Sequence, residues 1–225
     1  VIKGNTFENA DNLAPSTIKM LKERYSGTRL GQQELYGQIL EDVEGALFNS
    51  ANIEQSRIEV TPDMQRIVIA VDPAVTANSN SDETGIIVAG RGVDNHFYIL
   101  EDKSGVFSPD VWIKRAIELY YKFDADRIVC EVNNGGDLIE RLLRVQDVNV
   151  PYSSVRATRG KMLRAEPISA LYEQGKVHHV GYFKELEEQM CSYTPDTVKS
   201  PDRLDALVWG ITSLMNSGKA IFRIS

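Results

Sequence analysis

Three acidic residues stand at positions from which their side chains could bind a metal ion. Asp72 and Glu131 each end a short apolar run that is typical of a buried strand, and Asp205 lies in the first turn of the last predicted helix. A carboxylate at the end of a buried strand is held rigidly at the edge of a sheet, where further acidic side chains could join it. The sequence therefore predicts a metal site, although Asp72 could instead only begin the turn that continues at Pro73.

A fourth acidic residue, Asp202, precedes Asp205 by three positions, so both fall on one face of the helix near its N-terminus. Acidic side chains in a first turn also stabilise the helix dipole without any chemical task. That structural role suits Asp202, which follows Ser200 and Pro201 as a natural cap. Asp205 leads into the apolar residues of the helix, and we expect it, more than Asp202, to be a ligand.

The chain from residue 61 onwards alternates strand and helix patterns. Three strands joined by short turns predict an antiparallel meander, and strands that follow helices are predicted to be parallel. The predicted strands are 66–72, 84–90, 96–102, 126–132, 148–155 and 176–180. The predicted helices are 109–122, one that begins at Asp137, 162–174, 183–191 and 202–216. Pro167 would suit the third of these helices only near its first turn.

Residues 1–60 differ from the rest, because their apolar residues repeat at helical spacing and no strong strand appears. Two short amphipathic helices bury little between themselves, so we expect a linker that packs on something larger. We therefore predict a helical linker at 1–60 and a main domain at 61–225. The chain begins at Val1 rather than at a methionine, and we expect it to be a fragment of a longer protein.

The composition is that of an ordinary globular protein, since 42% of the 225 residues are hydrophobic. No apolar run reaches membrane-spanning length, and no signal peptide opens the chain. Cys130 and Cys191 form neither a metal spacing nor a disulfide framework, so a reducing cytoplasm is expected. The net charge of −7 opposes nucleic-acid binding unless a local basic patch or metal ions neutralise the phosphate charge.

The most basic stretch of the chain could supply such a patch, because no acidic residue lies between Val155 and Ala165. Its four basic residues are Arg156, Arg159, Lys161 and Arg164. We predict that these side chains contact DNA phosphates beside the acidic residues. The alternative is a solvated loop and helix face with no ligand.

Four segments form an ordered series of motifs: 69–74 (IAVDPA), 82–86 (DETGI), 129–136 (VCEVNNGG) and 200–209 (SPDRLDALVW). Together they resemble the C-terminal nuclease domain of the large terminase subunit of tailed double-stranded-DNA bacteriophages, over residues 66–215. Residues 28–35 (TRLGQQEL) resemble, more weakly, the segment that joins the ATPase and nuclease domains of that family, which implies that the linker at 1–60 is the end of an ATPase region. Each motif alone is weak, but four in the same order are specific.

The resemblance implies a ribonuclease H-like fold, an α/β fold in which three antiparallel strands and then parallel strands form one mixed sheet flanked by helices. In that fold the first and fourth strands are neighbours, so Asp72 and Glu131 would lie side by side, and crowded carboxylates need cations to stay ionised. The family's catalytic and metal-binding triad matches Asp72, Glu131 and Asp205, with Asp202 as a further ligand. The implied cofactors are two Mg²⁺ or Mn²⁺ ions, which activate a water and stabilise the leaving oxygen.

The implied activity is metal-dependent endonuclease cleavage of concatemeric viral DNA during genome packaging in the host cytoplasm. The implied partners are double-stranded DNA and, in the full-length motor, the terminase small subunit and the portal; no membrane is expected. A packaging motor needs a phosphate-binding loop, and 218–220 (GKA) lacks both its glycine spacing and its hydroxyl. We therefore expect no nucleotide-binding site here and, for the isolated domain, a monomer.

Three alternatives stay open. Another ribonuclease H-like nuclease, such as a junction resolvase or a transposase-like enzyme, would use the same chemistry on a different DNA. Actin-like ATP-binding proteins also begin with a strand that ends in Asp, but they need a duplicated domain, and the sequence shows no internal repeat. A non-catalytic docking module of a packaging motor would not need the three carboxylates that this chain retains.

Overall fold

The structure is a computed structural model, and it describes residues 43–74, 83–132, 136–197 and 200–216. The predicted N-terminal helices, the motif at 28–35 and Asp82 lie outside the described residues. The described residues from Gly45 onwards belong to one compact unit.

Six strands form one mixed sheet in the order β5-β4-β1-β2-β3-β6. The strands are β1 (Met64–Asp72), β2 (Gly85–Gly92), β3 (Phe97–Asp102), β4 (Arg127–Glu131), β5 (Tyr152–Val155) and β6 (Val177–His179). The first three pair antiparallel, whereas β4, β5 and β6 each pair parallel with a neighbour. The predicted meander and the parallel strands after it are therefore confirmed, and β1 and β4 are neighbours.

Helices cover both faces of this sheet. They are α1 (Ser50–Gln55), α2 (Pro109–Lys122), α3 (Gly136–Gln146), α4 (Lys161–Glu173), α5 (Lys184–Ser192) and α6 (Asp202–Asn216). Apolar residues of α2 and α3 pack with one face, and those of α1, α4, α5 and α6 pack with the other. Because both faces are covered, Ile69, Ala70 and Val71 at the centre of β1 have no exposed surface.

Helix α6 lies unusually close to the sheet because two glycines allow it. A Cβ atom on Gly210 of α6 would lie 3.1 Å from Ala70 Cβ and 3.2 Å from Ala89 Cβ. A Cβ atom on Gly85 at the start of β2 would lie 2.0 Å from the carbonyl oxygen of Asp202. The two glycines thus let the first turn of α6, with its acidic residues, approach the ends of β1 and β2.

The segment just before β1 packs into the same core. Phe48 and Ile53 are buried there, at 2% exposure each. Arg57 forms an ion pair with buried Glu187 of α5, at 2.8 Å, and Glu187 also accepts a hydrogen bond from the ring of His179 at 2.8 Å. Part of the predicted linker therefore contributes to the core, while the boundary at residue 60 stays a prediction.

Two elements differ from the sequence-based expectation. The strand predicted at 148–155 begins only at Tyr152, because the Arg144 guanidinium donates to the carbonyl oxygens of Val148 and Val150 and holds them in a turn. Pro167 lies six residues after the first residue of α4, where it removes one helical hydrogen bond, rather than in the first turn. Among the described residues, no helix combines the length and the apolar character that crossing a membrane requires.

Candidate active site

The four predicted ligands come together where β1 and β4 end. These strands run parallel and in register, so Asp72 and Glu131 lie side by side at their carboxyl ends. Helix α6 brings Asp205 to them, since the Arg164 guanidinium reaches Glu131 at 3.5 Å and Asp205 at 3.4 Å. Asp202 lies one helical turn before Asp205 and is close enough for its charge to raise the pKa of Asp72.

This acidic centre is shielded from water. Asp205, Asp202 and Glu131 are exposed by only 2%, 5% and 6%, and Asp72 is partly buried. Carboxylates are seldom buried to this extent unless cations or hydrogen-bond donors compensate the lost hydration. The centre therefore needs positive charge.

The pKa values of Asp72 and Asp205 are both raised in this environment. The pKa of Asp72 is raised to about 8, first by burial and then by the negative charges of Asp205 and Glu131, against the opposing charge of Lys161. Burial also raises the pKa of Asp205, although Lys161 and Arg164 oppose the shift. Burial is the larger cause of both shifts, and for Asp72 the negative charges of its acidic neighbours add to the effect of burial.

Two basic side chains of α4 supply part of the compensating charge. Lys161 Nζ lies 2.5 Å from an Asp205 carboxylate oxygen and donates to Ser200 Oγ at 2.6 Å. Arg164 is only 10% exposed and bridges Glu131 and Asp205. Since Lys161 and Arg164 are three residues apart, one face of α4 presents both cations to the centre.

Trp209 fixes the orientation of Glu131. Its indole Nε1 donates a hydrogen bond of 2.6 Å to Glu131 Oε2, and the Arg164 guanidinium lies 4.5 Å from the centre of the indole ring. Trp209 also follows Asp205 by one helical turn, so one face of α6 carries both a carboxylate and the donor that positions a second carboxylate.

The donor set fits hard divalent cations. The four candidate ligands offer only carboxylate oxygens, which are the ligands that Mg²⁺ and Mn²⁺ prefer, and a cation would relieve the crowding that raises the pKa of Asp72. Within the part of the chain that the structure describes, no three His, Cys, Asp or Glu side chains form a ready-made metal site. Lys161 and Arg164 instead contact both carboxylate oxygens of Asp205 and one of Glu131, so metal binding by these two carboxylates would require the basic side chains to shift.

The predicted basic patch is divided between two environments. Arg156 and Arg159 are exposed in the loop that follows β5, whereas Lys161 and Arg164 turn inward to the carboxylates. The sequence carried a signal for this division, because Arg164 lies one helical turn before buried Ile168. The spacing of Trp209 from Asp205 likewise indicated that the indole lies beside the acidic residues. A tryptophan in an apolar helix is, however, more simply interpreted as part of the core.

A family profile described as "Terminase RNaseH-like domain" matches residues 69–214. That match includes all four carboxylates and extends over well over half of the chain. No curated protein sequence matches the chain.

Solved structures of phage terminases share this fold. The large terminase nuclease from thermophilic phage G20c aligns with a TM-score of 0.53 and 16% identity, covering 75% of this chain and 98% of that one. The same nuclease with bound magnesium gives a TM-score of 0.52 at 14% identity, covering 76% and 98%. The large terminase from a second thermophilic bacteriophage gives 0.58 at 12% identity, covering 91% of this chain but only 54% of that one. The predicted ribonuclease H-like fold is therefore confirmed, and the chain spans about half the length of the second phage's terminase.

Proposed function

The chain belongs to the terminase ribonuclease H-like domain family, and from this premise we propose that it is a metal-dependent DNA endonuclease. The observation that carries the proposal is the convergence of four carboxylates at one sheet edge, with the pKa of Asp72 raised to about 8 by burial and by its acidic neighbours. In the phage, the substrate would be concatemeric viral DNA that is cut during genome packaging in the host cytoplasm.

Asp72, Glu131 and Asp205 would hold the divalent cations, with Asp202 as a further ligand. When bound, two such cations activate an attacking water and stabilise the leaving oxygen of a phosphodiester. The ligands are well positioned for this task, because β1 and β4 fix two of them at neighbouring strand ends and α6 fixes the others. No protein side chain is needed as a nucleophile.

The surrounding donors would prepare the carboxylates and bind the substrate. Trp209 holds Glu131 in one orientation through the hydrogen bond from its indole nitrogen. Lys161 and Arg164 neutralise the carboxylates without metal, and their cationic groups are available to the scissile phosphate when they shift. Together with exposed Arg156 and Arg159 they would form the DNA-binding set, which offsets the net charge of −7.

In the full-length motor, we propose that this domain works beside an ATPase domain, with the terminase small subunit and the portal as partners. The support is the family match and the resemblance of the motifs to large terminase subunits. The isolated domain is proposed to be a monomer that needs Mg²⁺ or Mn²⁺ and no nucleotide.

The test is cleavage of supercoiled plasmid by the purified chain in Mg²⁺, in Mn²⁺ and in EDTA. We expect nicked and linear products only with metal. Asp72→Asn and Asp205→Asn should each reduce the rate about 100-fold or more, since loss of even an outer partner of a metal ligand costs about 10- to 100-fold.

The matched control is Asp63→Asn, which removes one carboxylate from an exposed position just before β1. Asp63 lies at the beginning of this strand, whereas Asp72 lies at its other end. It should cleave like the parent chain. Cleavage that survives EDTA or both active-site substitutions would refute the proposal, and a folded parent that cuts in neither metal would favour the docking module.

A further inference from the structure

A second basic feature lies outside the acidic centre, in a cleft of about 490 Å³ beside α6. Its lining combines guanidinium groups with hydroxyl, amide and indole groups. The lining residues are Arg66, Arg127, Ser153, Val155, Arg156, Trp209, Thr212, Ser213 and Asn216. No acidic residue is among them, so the cleft is a positively charged site on a chain whose net charge is negative.

The side chains of the three arginines in the cleft contribute little to the stability of the fold. Arg66 approaches Asp126 only at 3.8 Å, and both side chains are more than one-third exposed, so that ion pair contributes little. The guanidinium groups of Arg127 and Arg156 form no ion pair or hydrogen bond with any residue in the described ranges. Three arginines of like charge that line one cleft repel one another, and an anion between them would relieve the repulsion.

The cleft begins at the acidic centre and leads away from it. Trp209 belongs to both, because its ring lines the cleft while its Nε1 donates to Glu131. Arg66 and Arg127 lie near the starts of β1 and β4, at the ends opposite Asp72 and Glu131. The cleft therefore runs along β1 and β4 from Trp209, beside the acidic centre, towards the strand ends opposite the carboxylates.

Helix α6 gives the length of this path. The part of the helix that lines the cleft, from Trp209 to Asn216, advances seven residues, which is roughly 10 Å at 1.5 Å per residue. Successive phosphates of one strand in B-form DNA advance about 3.4 Å along the axis, so the cleft extends over about three nucleotides. Arginine forks together with hydroxyl and amide donors are the groups that contact phosphate oxygens in protein–DNA interfaces.

We propose that this cleft binds the phosphodiester backbone of the DNA on one side of the cut, with Arg66 and Arg127 as its far contacts and Arg156 as its near contact. The assignment of the bound strand to cleaved DNA rests on the proposed nuclease function. The cleft holds the DNA by charge and not by base sequence, because its lining offers guanidinium groups where backbone oxygens would lie.

The test is the salt dependence of DNA binding by the full 225-residue chain, measured in EDTA by fluorescence anisotropy of a labelled duplex of about 30 base pairs. Each lost phosphate contact lowers the slope of log K against log salt by about 0.9. The double variant Arg66→Gln/Arg127→Gln should therefore have a slope shallower by about 2. Between about 50 and 200 mM salt it should lose about tenfold less affinity than the parent chain.

Two further variants control for charge and folding. Lys114→Gln/Arg141→Gln removes two exposed charges from α2 and α3, on the opposite face of the sheet, and should leave the slope unchanged. Arg66→Lys/Arg127→Lys keeps both charges and should keep the parent's slope. Thermal unfolding by circular dichroism verifies that every variant is folded.

The outcomes separate this proposal from the nuclease proposal, because EDTA removes the chemistry from the binding assay. An equal slope in the parent and the double glutamine variant, or no binding by the parent, would overturn the cleft assignment even if the parent cuts plasmid. A shallower slope in the double glutamine variant alone would support the cleft even if the parent does not cut.

Discussion

The carboxyl group of Asp72 makes the stability of the folded protein depend on pH. Its pKa is raised to about 8, first by burial and then by Asp205 and Glu131, whereas an unfolded chain leaves the pKa of an Asp near about 3.9. The folded state therefore keeps a proton that the unfolded state has lost. The contribution of this carboxyl group to the free energy of unfolding is therefore largest below about pH 4. It decreases as the pH rises and reaches its lowest value above about pH 8.

Asp72→Asn should consequently stabilise the metal-free protein at pH 7, because the amide needs no proton. We expect the free energy of unfolding to increase by ~1–3 kcal/mol, measured by urea denaturation in EDTA. The increase should disappear at pH 4, where the parent's carboxyl group is protonated in both states.

Asp63→Asn provides the comparison for that measurement. Its carboxylate is exposed before β1, so its substitution should change the free energy of unfolding at pH 7 by less than about 0.5 kcal/mol. If Asp72→Asn lowered the stability at pH 7 instead, Asp72 would have a structural role that the electrostatics do not account for.

At the scale of elements, the acidic centre depends on how closely α6 approaches β2. Gly85 allows that approach, because a Cβ atom there would lie 2.0 Å from the backbone oxygen of Asp202, the first residue of α6. A backbone atom cannot move aside as a flexible side chain can. The start of the helix, and with it Asp202 and Asp205, would have to shift.

Gly85→Ala should therefore destabilise the chain by about 1–3 kcal/mol, which is the usual cost of overpacking. The same shift should weaken metal-dependent plasmid cleavage, because the spacing between Asp205 and the strand carboxylates changes. Urea denaturation and initial cleavage rates measure the two effects.

Gly160→Ala is the matched control, since no atom lies within 4 Å of a Cβ at Gly160 and its φ of −58° suits any residue. Its stability should stay within about 1 kcal/mol of the parent's. Equal effects of the two substitutions would mean that the close approach at Gly85 does not position the helix.

At the scale of the whole molecule, the fold could be predicted from local patterns because most elements carry complete signals. The apolar run of β1 predicted a strand buried on both faces, and the helix predicted at 109–122 has the bounds that α2 shows in the structure. The shorter β5 could not be predicted in the same way. Its length depends on the hydrogen bonds that the Arg144 side chain donates to carbonyl oxygens four and six residues later, and the apolar pattern that predicted the longer strand gives no sign of these bonds.

The candidate site also has parts that the sequence predicted and parts that it did not. The residue patterns predicted the positions of Asp72 and Glu131 at strand ends and of Asp205 in the first turn of a helix, and the resemblance to the terminase nuclease domain implied that β1 and β4 are neighbours. The spacing of Arg164 from buried Ile168 indicated that Arg164 turns inward, but its contact with the Trp209 ring depends on the packing of α4 against α6, which the basic stretch does not show. The cleft could not be predicted from the sequence, because Arg66 and Arg127 are 61 residues apart and come together only through the pairing of β1 and β4.

We propose above that Asp72, Glu131 and Asp205 together hold the divalent cations of a DNA-cleaving site. The most direct test is an anomalous difference map from crystals of the chain grown with Mn²⁺. We predict at least one peak within about 2–2.5 Å of carboxylate oxygens from all three side chains, with Lys161 and Arg164 displaced from them. A map with Mn²⁺ bound elsewhere and no peak among these carboxylates would contradict the claim.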